Sequence, residues 1–95
     1  MFTIVNQSSK QIGIEIYYYK NHEIKCECMF VKPVSEKIQI EISDVYQLIF
    51  FYEGRFHQIA QELLDKKIKS IEFPFFTARF EFTDTIQLTL VNSEV

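Results

Sequence analysis

Apolar residues recur at every second position through most of this chain, and a period of two restricts it to β-strands. Ile12, Ile14, Ile16 and Tyr18 alternate with Gln11, Gly13, Glu15, Tyr17 and Tyr19, while Ile24, Cys26, Cys28 and Phe30 alternate with Glu23, Lys25, Glu27 and Met29. The pattern returns in Ile38, Ile40 and Ile42, in Tyr46, Leu48, Phe50 and Tyr52, in Ala78, Phe80 and Phe82, and in Ile86, Leu88 and Leu90. Successive side chains of a strand point to opposite faces, so each segment is expected to turn one face to a core. Six strands follow from these runs. Segments 68–73 and 2–5 are expected to add two more, with Pro74 at a strand end or bend because it cannot donate to a ladder.

Residues directly opposite in an antiparallel pair share a face, so matching the apolar faces fixes the parity of each connection. Ile16 opposite Cys26 and Ile14 opposite Cys28 leave Lys20, Asn21 and His22 as a loop. Ile40 opposite Leu48 leaves Ser43 to Val45, and Phe80 opposite Leu88 leaves Thr83 to Thr85. Asn and Asp accept such turns, but Val45 and Thr85 resist a left-handed third position, which favours five-residue loops there. In this register Cys26 and Cys28 are buried, Glu15 and Glu27 lie opposite each other on an exposed face, and Lys25 sits beside Tyr17.

One segment departs from alternation. Phe56, Ile59, Ala60, Leu63, Leu64 and Ile68 follow helical spacing, which predicts a short helix near 56–67. The rival is a hairpin turning at Glu53-Gly54, which would place His57 on the same face as Phe50 and bring an imidazole to the core. The chain is thus expected to be an all-β, small antiparallel β-sandwich of about seven or eight strands, immunoglobulin-like in layout, forming one domain over 1–95. The α+β alternative packs the helix on the sheet.

Composition narrows the function. Hydrophobic residues make up 47%, too many for a disordered chain. Two Gly in all exclude a glycine-rich phosphate-cradling loop. A net charge of −3 with scattered lysines argues against nucleic acid. No signal-like or membrane-spanning apolar run is present, and two closely spaced cysteines do not make a secreted disulfide scaffold, so no membrane association and a cytoplasmic location are expected.

The most chemical-looking element is Cys26-Glu27-Cys28 with His22 nearby. A tetrahedral zinc site needs four converging ligands, and no second Cys or His pair recurs downstream, so the thiols read as buried, reduced and metal-free. His22 and His57 lack a nucleophile and an orienting acid in any recognisable spacing, and both read as surface histidines. No enzyme activity and no cofactor are expected. The more informative signal is apolar surface. The run Val45 to Tyr52 is apolar on both faces, so Ile49 and Phe51 need a cover, either the helix or a partner. Tyr17 and Tyr19 form a second patch. The candidate interaction surface is therefore Tyr17, Tyr19, Lys25, Ile49 and Phe51. It points to a protein-interaction module acting through a sheet face or edge, of the inhibitor, immunity or assembly kind, with self-association as one form of partnership. The alternative is a carbohydrate or small-ligand module stacking on the tyrosines.

Overall fold

A computed structural model describes residues 1–34, 37–59 and 64–93. Among them run nine strands: β1 Phe2–Asn6, β2 Ile12–Lys20, β3 Glu23–Val31, β4 Ile38–Ile40, β5 Val45–Tyr52, β6 Arg55–Ile59, β7 Ser70–Glu72, β8 Phe76–Phe82 and β9 Ile86–Asn92. They form a five-stranded sheet in the order β4-β1-β9-β8-β7 and a four-stranded sheet in the order β3-β2-β5-β6. The second sheet is antiparallel throughout, and in the first β1 runs parallel to β9. The expected all-β sandwich is therefore the fold.

The alternating faces meet in one core. Ile12, Ile14, Ile16, Leu48, Phe50 and Ile59 come from the four-stranded sheet, and Phe2, Ile4, Phe76, Ala78, Leu88 and Leu90 from the five-stranded one, all at most 1% exposed. Rings cross the interlayer: Phe50 meets Phe76 edge-on at 5.4 Å, and Tyr52 meets Phe75 at 5.1 Å. Such pairs contribute about 0.5 to 1.5 kcal/mol beyond area burial.

Four local expectations are corrected. The β2–β3 connection holds two residues, not three: Lys20 pairs with Glu23 around Asn21 and His22, whose φ angles are 52° and 64°. Two consecutive left-handed residues make a turn whose twist matches the strands it joins. Shortening the loop by one residue inverts β3, so Ile16 faces Glu27 and Tyr17 faces Cys26.

The segment Ile38–Ile40 does not form a hairpin with β5. It pairs with β1, Phe2 opposite Ile40, while Leu48 pairs with Ile16. The chain crosses between the sheets here, with Ile42 buried and Asp44 at φ 55°. By contrast, Phe80 does lie opposite Leu88, but the expected five-residue loop is not formed: Phe82 opposite Ile86 leaves a three-residue connection, 83–85, closed without a left-handed Thr85.

The helix near 56–67 does not begin at 56. Arg55–Ile59 is strand β6, hydrogen-bonded to β5 through a turn at Glu53 (φ 48°) and Gly54 (φ 73°). Gly54 takes the left-handed conformation without a Cβ penalty, and β6 satisfies backbone groups along β5 that a helix laid across the face would leave unpaired. Residues 60–63 of the expected helix lie outside the described residues. His57 packs as the rival hairpin requires, on the inner side opposite Phe50 and against Phe73 at 5.1 Å.

Candidate interaction surface

The outer face of the four-stranded sheet is built in rows, one side chain from each strand. Phe30, Gly13, Phe51 and Phe56 make one row, and Cys28, Glu15, Ile49 and Gln58 the next. Cys26, Tyr17 and Gln47 follow, and Ile24 and Tyr19 close the β2–β3 end. Phe30 and Phe56 are each 69% exposed, and Ile24 is 61% exposed.

Glycine shapes the first row. A Cβ at Gly13 would lie 3.0 Å from the ring of Phe30 and 3.2 Å from the Cβ of Phe51, so the missing side chain lets the Phe30 ring lie over β2 and the β5 backbone beside Phe51 stay close. Phe51 meets Phe56 edge-on at 4.7 Å. Three phenyl groups, from β3, β5 and β6, thus share one row with Gly13 of β2.

At the other end a shift in register between β2 and β5 brings Tyr46 under the tyrosines of β2. Tyr46 lies 4.7 Å from Tyr19 and 6.2 Å from Tyr17 by ring centroids. The Tyr17 hydroxyl donates to Oε2 of Glu15. That bond, with partial desolvation and the Glu15 charge, pushes the Tyr17 phenol well above its ordinary value. Although Cys26 is solvent-exposed, partial desolvation also pushes its thiol up; the Tyr17 hydroxyl opposes this and Glu15 adds to it. An open cleft beside the cluster is lined by Tyr19, Asp44, Val45, Tyr46 and Asp65.

The opposite side of the sandwich provides the contrast. Outward positions of the five-stranded sheet pair Thr3 with Gln39 and Gln87, Arg79 with Thr89 and Ser70, Glu81 with Gln87, and Glu72 with Thr77, leaving Val5 and Val91 as its aliphatic members. One outer face is therefore polar and the other is aromatic, aliphatic and thiol-bearing.

Of the five residues singled out from sequence, Tyr17, Tyr19, Ile49 and Phe51 share this face. Lys25 does not. It lies opposite Tyr18 on the inner side of β3 and pairs with Glu23 at 2.9 Å, where the edge strand overhangs the core and both side chains remain in water. Cys26 and Cys28, expected to be buried, are exposed because the two-residue turn inverts their strand. Glu15 and Glu27 are not opposite each other; Glu15 faces Cys28. Phe30, Phe56, Ile24 and Tyr46 were not anticipated as surface. The signal that points to the first and third is Asn21-His22, a dipeptide compatible with a two-residue turn, which sets the parity of β3.

His22 lies in the β2–β3 turn. His57 is half-buried, and its Nε2 has no hydrogen-bond partner among the described residues. Among those residues no group of three or more His, Cys, Asp or Glu is placed to hold a metal ion, and no helix is long and apolar enough to cross a membrane. No protein-family model, curated protein or solved structure matches the chain.

Proposed function

We propose that this protein is a non-enzymatic protein-interaction module whose working surface is the outer face of the β3-β2-β5-β6 sheet. The supporting observation is the asymmetry of the sandwich: Phe30 and Phe56 stand 69% exposed in an aromatic row, while the other outer face carries Thr, Gln, Glu and Arg. Solvation alone favours the polar composition, and a contiguous apolar patch in water carries an aggregation hazard that a partner removes. Aromatic side chains are also those that dominate interface energetics. Inhibitor, immunity and assembly roles are all consistent with such a face. An immunoglobulin-like relationship and a cytoplasmic setting belong to the same reading; two packed sheets exchanging strands support the first, and exposed reduced thiols are compatible with the second.

The test compares partners retained from the native source by wild type and by Phe30→Ser with Phe56→Ser. A protein held by wild type and lost by the double variant, at unchanged melting temperature, is the expected result. Identical retention removes the face from the binding surface.

A carbohydrate or small-ligand reading draws on the cleft where Tyr19 and Tyr46 stand beside Asp44 and Asp65. Ring faces with neighbouring carboxylates suit a polyhydroxylated ligand. Glycan-array binding abolished by Tyr19→Ala, with Phe56→Ser inert, would favour this reading over the first.

A further inference from the structure

We propose that two copies of this chain pair along β3, antiparallel about a two-fold axis through Cys26, to form one continuous eight-stranded sheet. The inference concerns an edge and does not require the outer face to have another partner.

The four sheet edges are unequal. β4 and β7 are three residues long and β6 five, whereas β3 is nine, and among the described residues only β2 pairs with it. Short edges resist strand addition, and a long one presents a row of unpaired N–H and C=O groups. Because the two-residue turn closes on the pair Lys20 and Glu23, the ladder alternates so that Ile24, Cys26, Cys28 and Phe30 direct their backbone groups away from β2. A second β3 can take up those groups.

Charge selects the partner and the register. Glu23, Lys25 and Glu27 lie on one side of β3, in the order negative, positive, negative. A two-fold axis through Lys25 sets Lys25 against itself and Glu23 against the partner's Glu27. An axis through Glu27 sets that carboxylate against itself. An axis through Cys28 pairs no opposite charges. An axis through Ile24 sets Lys25 against the partner's Glu23 but overlaps the strands over residues 23–25 alone, whereas the axis through Cys26 overlaps 23–29 and places Lys25 opposite the partner's Glu27, a pair that symmetry repeats. The Tyr18 hydroxyl already donates to Oε1 of Glu27, which a carboxylate accommodates alongside a lysine because both its oxygens accept. On the outer side the same register sets Ile24 opposite the partner's Cys28, so the two apolar faces become contiguous.

The register makes a distinction between the thiols. Cys26 lies opposite its own copy, at a hydrogen-bonded position where Cα atoms are about 5.5 Å apart, inside the Cα range of a disulfide, and an inward shift of about 1 Å brings the Cβ atoms to bridging distance. Cys28 lies about four residues from its copy along the strands, roughly 13 Å, beyond reach.

The experiment measures self-association of the full chain by sedimentation under reducing conditions, then crosslinks single-cysteine variants with diamide. A concentration-dependent dimer is expected. Lys25→Glu should raise its dissociation constant about tenfold or more, and combining it with Glu27→Lys should restore it. Cys28→Ser protein should yield a covalent dimer and Cys26→Ser should not. Phe56→Ser, on the far edge, should leave the dimer intact while abolishing any face-directed binding. A monomer at hundreds of micromolar overturns the pairing. So does a dimer indifferent to Lys25→Glu, one crosslinked through Cys28, or one lost on Phe56→Ser alone.

Discussion

The side-chain amide of Asn6, at the end of β1, donates to the carbonyl of Val31, at the end of β3, at 3.0 Å, joining one sheet of the sandwich to the other. Asn6 is fully buried. Its Nδ2 also donates to the Lys10 carbonyl at 2.8 Å, and its Oδ1 accepts from the backbone N–H of Ser8 at 3.0 Å and from the Ser8 hydroxyl at 2.6 Å. One amide thereby organises the β1–β2 crossover and anchors the edge strand. Asn6→Ala strands those partners without water, at about 1 to 3 kcal/mol for each buried group left unsatisfied. Urea denaturation should show a loss in that range or above it, and Ser8→Ala, which removes one hydroxyl, a smaller one. Equal losses would mean that the Val31 link contributes little.

Such a link is invisible to hydrophobic periodicity, which explains what could be read in advance. Alternation located the strands because a half-buried strand has to alternate, and Phe80 opposite Leu88 followed from face matching. Face matching failed at β3 because it assumes that the apolar side of a strand faces the core. On an overhanging edge the inner positions Glu23 and Lys25 stay in water, so the assumption has no energetic force there. It failed again at Ile38–Ile40, where an apolar strand fits either sheet and the parallel β1–β9 pair leaves β1 an open edge for it. Helical spacing misled at Phe56 and Ile59, since two apolar residues three apart also suit a strand with one ring outward. Four of the five surface residues were recognised because β2 and β5 are central strands, whose faces are fixed by Ile14, Ile16, Leu48 and Phe50. Lys25 was misplaced with the rest of β3.

The exposed thiols lead to a chemical prediction. Both cysteines should react completely with a small alkylating reagent in the native protein, without denaturant. In Cys28→Ser the pH midpoint of Cys26 labelling should lie above that of a free thiol in a peptide, since desolvation and the Glu15 carboxylate both disfavour the thiolate. Glu15→Gln should lower it. Protection of both thiols would return β3 to the register with its cysteines inside.

Tyr17 sets an alkaline limit. Its phenol is raised above the ordinary value of about 10, so below that pH both folded and unfolded states keep the proton and the stabilising effect is fully present. As pH rises further the unfolded chain ionises first, and stability falls until the folded phenol ionises as well. Burial and the bond to Glu27 raise the Tyr18 phenol as well, so phenolate absorbance should show two late-titrating tyrosines in the native protein and one in Tyr17→Phe. Denaturation midpoints should decline less steeply above about pH 10 in that variant. Matching slopes would show that the Glu15 bond does not persist in solution.

His57 is the place where the core accepts a group that does not suit it. The imidazole lies between Phe50 on the neighbouring strand and the rings of Phe73 and Phe76, at 5.1 and 5.9 Å, while Nε2 is buried without a partner among the described residues. An unsatisfied buried polar atom costs about 1 to 3 kcal/mol, and a ring contact returns about 0.5 to 1.5. The two opposing contributions are separated by choosing what replaces the ring. His57→Phe keeps the aromatic contacts and removes the orphaned nitrogen, so it should raise stability by about 1 kcal/mol or more. His57→Leu forfeits the ring contacts and should gain less. Neither residue touches the outer face, so binding by Phe30 and Phe56 should be unchanged in both. Destabilisation by His57→Phe would mean that Nε2 is hydrogen-bonded in solution, and that this side of the core admits water.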